Sequence, residues 1–147
     1  MLRIAQSAIF LTFALFAAEH ANACSCLFQD PKDPGVVEEA LESADIVFVG
    51  AVESAEIDGP PEGEYGRMIQ TTVFVVKDSW KGETVNRITT RVNVQCCLCG
   101  FRFEEDQTYL IFAHEREEGV YTVSVCSLSR TLAEAGDIIR RLDEITE

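Results

Sequence analysis

The chain has 147 residues, a formal net charge of −13 at neutral pH and six cysteines. Strong acidity argues against binding to nucleic acid or to anionic membrane surfaces, because both require basic patches. After the first 23 residues no stretch is long and apolar enough to cross a membrane, so no membrane span is predicted.

Residues 1–23 have the layout of a secretory signal peptide, with Arg3 near the start and an apolar core at 9–18. The small residues of Ala21-Asn22-Ala23 suit cleavage by signal peptidase after Ala23. The apolar core is too short to span a bilayer as a helix, which argues against a membrane anchor. We therefore expect a secreted, extracellular protein, or a periplasmic or cell-envelope one if the organism is bacterial, with a mature domain at 24–147.

A lipoprotein signal is the alternative interpretation of this leader, because a cysteine follows the predicted cut. Ala21 argues against it, since lipoprotein signals usually carry a larger aliphatic residue at that position. The two interpretations differ in one consequence: lipid attachment would block the α-amino group of Cys24, whereas ordinary cleavage leaves it free.

The mature chain opens with Cys24-Ser25-Cys26. In an extended segment successive side chains point to opposite faces. Cys24 and Cys26 are therefore predicted to face the same way, toward cross-linking partners, while Ser25 faces the other way. Such a start presents one small side chain and one amine outward, in a form suited to enter a site on another molecule.

A short helix and a buried strand are predicted next. Val37, Ala40 and Leu41 lie at helical spacing within 36–43. Residues 46–52 are apolar with little alternation, which is typical of a strand buried on both faces or wrapped in a barrel. Gly50 within this run indicates a bend or bulge.

The remaining pattern predicts a polar loop at 56–66, four further strands and a terminal helix with one apolar face. Five strands can close on themselves and so hide their edges. We therefore expect a mainly β fold: a single five-stranded OB-like barrel with a short N-terminal helix and a C-terminal helix. The predicted later elements are strands at 67–80, 85–94, 109–113 and 120–126 and a helix at 131–145.

Enzyme chemistry and cofactors are not predicted. The mature chain has one histidine, His114, and nothing in its spacing suggests the nucleophile and acid that a catalytic triad needs. The Cys96-Cys97-x-Cys99 cluster could belong to a thiolate metal site, but no second ligand pair accompanies it. A redox role is a weaker interpretation again.

All six cysteines lie in the exported part, which favours a disulfide framework. Six cysteines allow 15 pairings, and the residues alone do not choose among them.

Short blocks of the mature chain carry a family resemblance. They are Cys24-Ser25-Cys26 at the start, 44–48 (Ala-Asp-Ile-Val-Phe), 80–82 (Trp-Lys-Gly), Cys99-Gly100-Phe101 leading to 109–113, and 123–127 (Val-Ser-Val-Cys-Ser). In this order they resemble the N-terminal inhibitory domain of the tissue inhibitors of metalloproteinases, an OB-like barrel also called netrin-like. The resemblance covers Cys24 to about Ser127.

The resemblance implies disulfides Cys24–Cys99 and Cys26–Cys126 and a zinc metalloendopeptidase as partner. It also implies that the α-amino and carbonyl groups of Cys24 bind the catalytic zinc of the protease, so that Cys24 is a ligand to a metal of the target. Ser25 would enter the specificity pocket beside that zinc. Neighbouring contacts would come from Cys26, Leu27 and Leu98.

The chain departs from the family in two ways. The family's third bridge has no cysteines here, while Cys96 and Cys97 are left over, and the family's second domain is missing. One alternative is therefore a netrin-like binding module without protease inhibition, engaging another partner and tethered by lipid at Cys24. A further alternative is an envelope thiol protein that uses Cys96 and Cys97.

Overall fold

The computed structural model describes residues 24, 26, 30–59, 66–83, 85–95 and 98–147. The predictions made for the signal peptide, Ser25, Leu27, Cys96 and Cys97 lie outside the described residues. The helices are α1 (Pro34–Ser43) and α2 (Gly136–Thr146), and the strands are β1 (Ile46–Asp58), β2 (Ile69–Lys81), β3 (Arg87–Asn93), β4 (Thr108–Glu117), β5 (Val120–Thr122) and β6 (Arg130–Thr131).

The strands pair in the order β1-β2-β3-β5-β4-β6, and an additional pairing of β1 with β4 closes a ring of five strands. All these pairings are antiparallel except that of β3 with β5, which is parallel. The prediction of a mainly β fold with one helix at each end is confirmed. Five strands are predicted and the described residues form six, because residues 130–131 pair with β4 as β6.

β1 at residues 46–50 and β4 at residues 109–113 are buried on both faces, as the lack of alternation at 46–52 predicts. One face of each strand points into the ring and the other lies under the two helices. A core inside the ring and a core beneath the helices therefore meet at these two strands. The inner core contains Phe48, Phe74, Phe103, Tyr109 and Ile111, and the outer core contains Val47, Leu110, Phe112, Ile138 and Leu142.

Four element boundaries differ clearly from the prediction. α2 begins at Gly136 instead of at 131, because residues 130–131 form β6 and Leu132–Glu134 form a short 3-10 helix. β1 continues to Asp58, because residues 56–58 pair with 69–71 of β2, so the predicted loop at 56–66 begins too early. β4 extends to Glu117, because the hairpin through Gly119 brings β5 against it. β5 ends at Thr122 instead of continuing to Cys126, since Ser124 forms only an isolated bridge to Gly100.

Gly50 lies at a register shift in the ladder between β1 and β2, as predicted. A Cβ atom on Gly50 would lie 2.8 Å from Cε2 of Phe48 and 3.0 Å from Cβ of Phe74. The glycine is therefore required because two aromatic residues of the inner core pack against its backbone.

The helices are attached to the sheet by specific polar contacts. The Asp33 side chain caps α1 by accepting from the Gly35 N–H at 3.0 Å. Lys81, at the end of β2, donates to the carbonyl oxygens of Leu41 and Glu42 at the C-terminus of α1, where a cation is favourable. The neighbouring Trp80 donates its indole N–H to Asp143 of α2 at 2.7 Å.

Gln70 is the polar residue on which the inner core depends. Its side chain is buried, accepts from the Phe103 N–H at 2.9 Å and donates to the Phe103 C=O at 2.8 Å. This reciprocal pair takes the place of a strand ladder and fastens segment 101–103 to β2. Thr72, two residues further on the same face, is equally buried, but its hydroxyl has no hydrogen-bond partner within the described part of the chain.

Replacing Gln70 by leucine would leave the N–H and C=O of Phe103 buried without partners. Each of these two groups costs about 1–3 kcal/mol, so we expect Gln70→Leu to lower the free energy of unfolding by about 2–6 kcal/mol in urea denaturation. Thr72→Val is the matched control, because it removes a hydroxyl that has no protein partner, and it should leave stability unchanged or raise it. Equal losses in the two variants would contradict the role given to Gln70.

Candidate functional site

Two short segments, 98–101 and 123–127, run side by side at one end of the ring and form the rim of the candidate site. Gly100 and Ser124 form an antiparallel bridge between them. The Phe101 N–H donates to the Val123 C=O at 3.0 Å, and the Val125 N–H donates to the Cys99 C=O at 2.9 Å. These bonds place Cys99 and Cys126 on adjacent stretches of backbone.

Each rim segment is joined to one cysteine of the predicted mature N-terminus. The Sγ atoms of Cys24 and Cys99 lie 2.11 Å apart and those of Cys26 and Cys126 lie 1.99 Å apart, both at disulfide distance. These are the two pairs that the family resemblance implies. The bridges span 75 and 100 residues, and in the chain-entropy model each contributes about 4–5 kcal/mol by restricting the unfolded chain.

Gly100 allows the rim to lie against the end of β3. A Cβ atom at this position would stand 2.0 Å from the carbonyl oxygen of Asn93 and 2.6 Å from Cγ1 of Val92. No other residue fits without moving the backbone. The preceding residue, Cys99, adopts a φ of +54°, in the left-handed region that side chains rarely enter. The rim therefore makes a sharp turn at the residue that is bonded to Cys24.

Apolar side chains flank the two bridges. Leu98 is 55% exposed and Val125 is 44% exposed, and the backbone bond between Val125 and Cys99 holds them on the same rim. Exposed large apolar residues beside one another are typical of contact surfaces. Leu98 is a predicted site residue. Val125 was missed, because the pattern at 120–126 predicts a continuous strand and does not distinguish its exposed end.

A groove of about 580 Å³ runs from the rim toward the middle of β4. Its polar side contains His114, whose Nδ1 lies 3.7 Å from Oδ2 of Asp45. The same Asp45 oxygen accepts from the Glu115 N–H at 2.8 Å. His114 lies on the surface. The groove is lined by Asp45, Val92, Asn93, Leu98, Cys99, Gly100, His114, Glu115, Arg116, Thr122, Val123 and Ser124.

Three carboxylates lie around Tyr121 of β5. The pKa of Tyr121 is raised above its ordinary value, first because the phenol is partly buried and then because of the charges on Glu115, Glu83 and Asp45. A phenolate would be repelled by these three carboxylates.

The structure brings together three of the five predicted target-binding residues, since Cys24, Cys26 and Leu98 all belong to or are bonded to the rim. Ser25 and Leu27 lie outside the described residues. Within the described ranges there is no group of three His, Cys, Asp or Glu side chains placed to hold a metal ion.

No helix in the described part of the chain is both long and apolar enough to cross a membrane. Cysteine pairs at disulfide distance fit a protein of an oxidising, extracellular compartment. No protein-family model matches this chain, and no curated protein matches it.

Gly100→Ala should destabilise the rim, because the added methyl group would overlap the Asn93 carbonyl. Overpacking of this kind costs about 1–3 kcal/mol, and we expect at least that loss in the free energy of unfolding measured in urea. Gly136→Ala is the control, since nothing lies within 4 Å of the added Cβ and its φ is not positive. It should be neutral or stabilising by up to about 1 kcal/mol. A neutral Gly100→Ala would refute the close approach to Asn93.

Proposed function

We propose that this protein is a secreted inhibitor of zinc metalloendopeptidases that acts through its mature N-terminus. The observation that carries the proposal is the attachment of Cys24 and Cys26 to two adjacent rim segments. Because the chain start is held at both Cys24 and Cys26, the α-amino group at its end points in a defined direction.

The chemistry of the proposed contact is that of an amine and a carbonyl oxygen on a Lewis acid. After cleavage behind Ala23, Cys24 carries an α-amino group with an ordinary pKa of about 7.7–8.0, so a useful neutral fraction exists near neutral pH. Nitrogen binds zinc at about 2.0–2.1 Å, and catalytic zinc keeps an open position for such a ligand. The Cys24 sulfur is committed to Cys99, which leaves the amine and the carbonyl as the donors.

In this proposal Ser25 enters the specificity pocket beside the zinc. Cys26, Leu27 and Leu98 contact the walls of the cleft. The exposed Leu98 and Val125 support an apolar contact of the rim with the target, since they lie next to the two bridges. Val125 extends the set that the family resemblance implies.

Pre-organisation supports tight binding. A segment already fixed by two bridges loses little conformational entropy when it docks, so more of the contact energy becomes affinity. Gly100 contributes by fixing the path of the rim against β3. The bridges therefore serve both the stability of the domain and the direction of the proposed probe.

We also infer that the ring of five strands is an OB-like, netrin-like barrel. The order β1-β2-β3-β5-β4 with β4 returning to β1 supports it, because each strand then has a neighbour on both sides over part of its length. The aromatic inner core supports it as well, since Phe48, Phe74 and Phe103 pack edge to face inside the ring.

The decisive variant carries one extra alanine before Cys24. The added residue moves the α-amino group away from Cys24 and leaves both disulfides and every side chain of the domain in place. We expect the unmodified protein to inhibit at least one enzyme in a panel of zinc metalloendopeptidases assayed with fluorogenic peptides. The extended protein should inhibit that enzyme at least about 100-fold more weakly, because the zinc loses a ligand.

Leu132→Ala is the control, because Leu132 is also exposed but belongs to the short 3-10 helix between β6 and α2. It should leave inhibition unchanged. Equal inhibition by the extended and unmodified proteins would refute zinc binding by the Cys24 amine. An absence of inhibition across the panel by the unmodified protein would refute the proposed function.

A further inference from the structure

β1 extends several residues beyond the end of its pairing with β4. It pairs with β4 only from Ile46 to Ala51, and the last backbone hydrogen bond on that side runs from the Val52 N–H to the Gln107 C=O at 2.9 Å. Residues 53–58 continue as a strand that is bonded to β2. Among the described residues, their opposite edge makes no backbone hydrogen bond. A free strand edge of this length is a template for another strand.

The two faces of this edge differ in chemistry. Ile57 pairs with the buried Gln70, so Ala55 and Ile57 belong to the face that points toward the inside of the ring. Ile57 is 38% exposed because it lies at the end of the ring. Glu56 and Asp58 belong to the opposite, outer face, and both are exposed. Over residues 55–58 the edge therefore alternates apolar and acidic residues.

Among the described residues, one of the three carboxylates on this stretch has a cationic partner. Arg87 of β3 donates to both oxygens of Glu53 at 2.7 and 2.8 Å, which lowers the pKa of Glu53. Within the described part of the chain Glu56 and Asp58 take part in no ion pair. They are available to a cation from outside.

We propose that the free edge of β1 at residues 53–58 binds an extended segment of a partner protein in which basic and apolar residues alternate. Backbone hydrogen bonds would add the segment as a further strand, with its basic residues opposite Glu56 and Asp58 and its apolar residues beside Ala55 and Ile57. A second copy of this chain is disfavoured, because antiparallel pairing of two such edges places carboxylates beside carboxylates.

The edge lies at the same end of the sheet as the rim. Asp58 pairs with Ile69, Ile69 pairs with Asn93, and Gly100 packs on Asn93. Neighbouring strands are about 4.8 Å apart, so the edge is within roughly 15 Å of the rim. One partner could contact both surfaces, but binding at the edge does not rest on the zinc chemistry of Cys24.

A capped hexapeptide in which lysine and valine alternate is the probe. Titrated into the whole mature protein at low ionic strength, it should shift the amide NMR signals of residues 53–58 and slow their hydrogen exchange. A hexapeptide with three lysines followed by three valines has the same charge and composition. It should bind about threefold to tenfold more weakly, because it cannot place charges and apolar groups on opposite faces of one strand.

The double variant Glu56→Gln with Asp58→Asn should weaken binding of the alternating peptide by about threefold to tenfold. Glu117→Gln with Glu118→Gln is the matched control, because it removes the same charge at the exposed hairpin between β4 and β5. Equal binding of the two peptides, equal effects of the two double variants, or amide shifts outside 53–58 would overturn the proposal. So would the absence of binding.

Discussion

The reciprocal hydrogen bonds between the Gln70 side chain and the Phe103 backbone hold the candidate site to the ring. Segment 101–103 has no strand ladder with β2, and this buried pair replaces one. From Phe103 the chain leads back to Gly100, which packs on Asn93, and to Cys99, which is bonded to Cys24. A single buried amide thus links the aromatic core to the position of the N-terminus, and its loss would cost both stability and the geometry of the rim.

The two-core arrangement explains why parts of the fold are predictable. An apolar run such as 46–52 has no polar face, and only burial on both sides accounts for it. The end of β1 is predicted as a loop, because Glu56 and Asp58 are charged residues typical of a solvent-exposed segment. Their pairing with β2 depends on the tertiary structure and leaves no local sequence pattern. The strand β6 was missed for another reason: a strand of two residues is too short to show any hydrophobic periodicity.

The candidate site was predictable only in outline. The positions of Cys24 and Cys26 after a cleavage motif indicate a fixed chain start, but pairing partners came from a family resemblance and not from spacing. The requirement for glycine at position 100 has no local sequence pattern, because it arises from the close approach of the Asn93 carbonyl group. In the sequence Gln70 is an ordinary residue of a predicted strand. Its hydrogen bonds to the Phe103 backbone depend on the tertiary structure, which places segment 101–103 beside β2.

The measurement that most directly tests the proposed mechanism is the intact mass and N-terminal sequence of the protein exported by its own host. Inhibition through the amine requires a chain that begins at Cys24, with an unmodified α-amino group and two intact bridges. That result is the predicted one. A lipid-modified or otherwise blocked Cys24, or a chain that begins elsewhere, would contradict the mechanism and favour a tethered binding module.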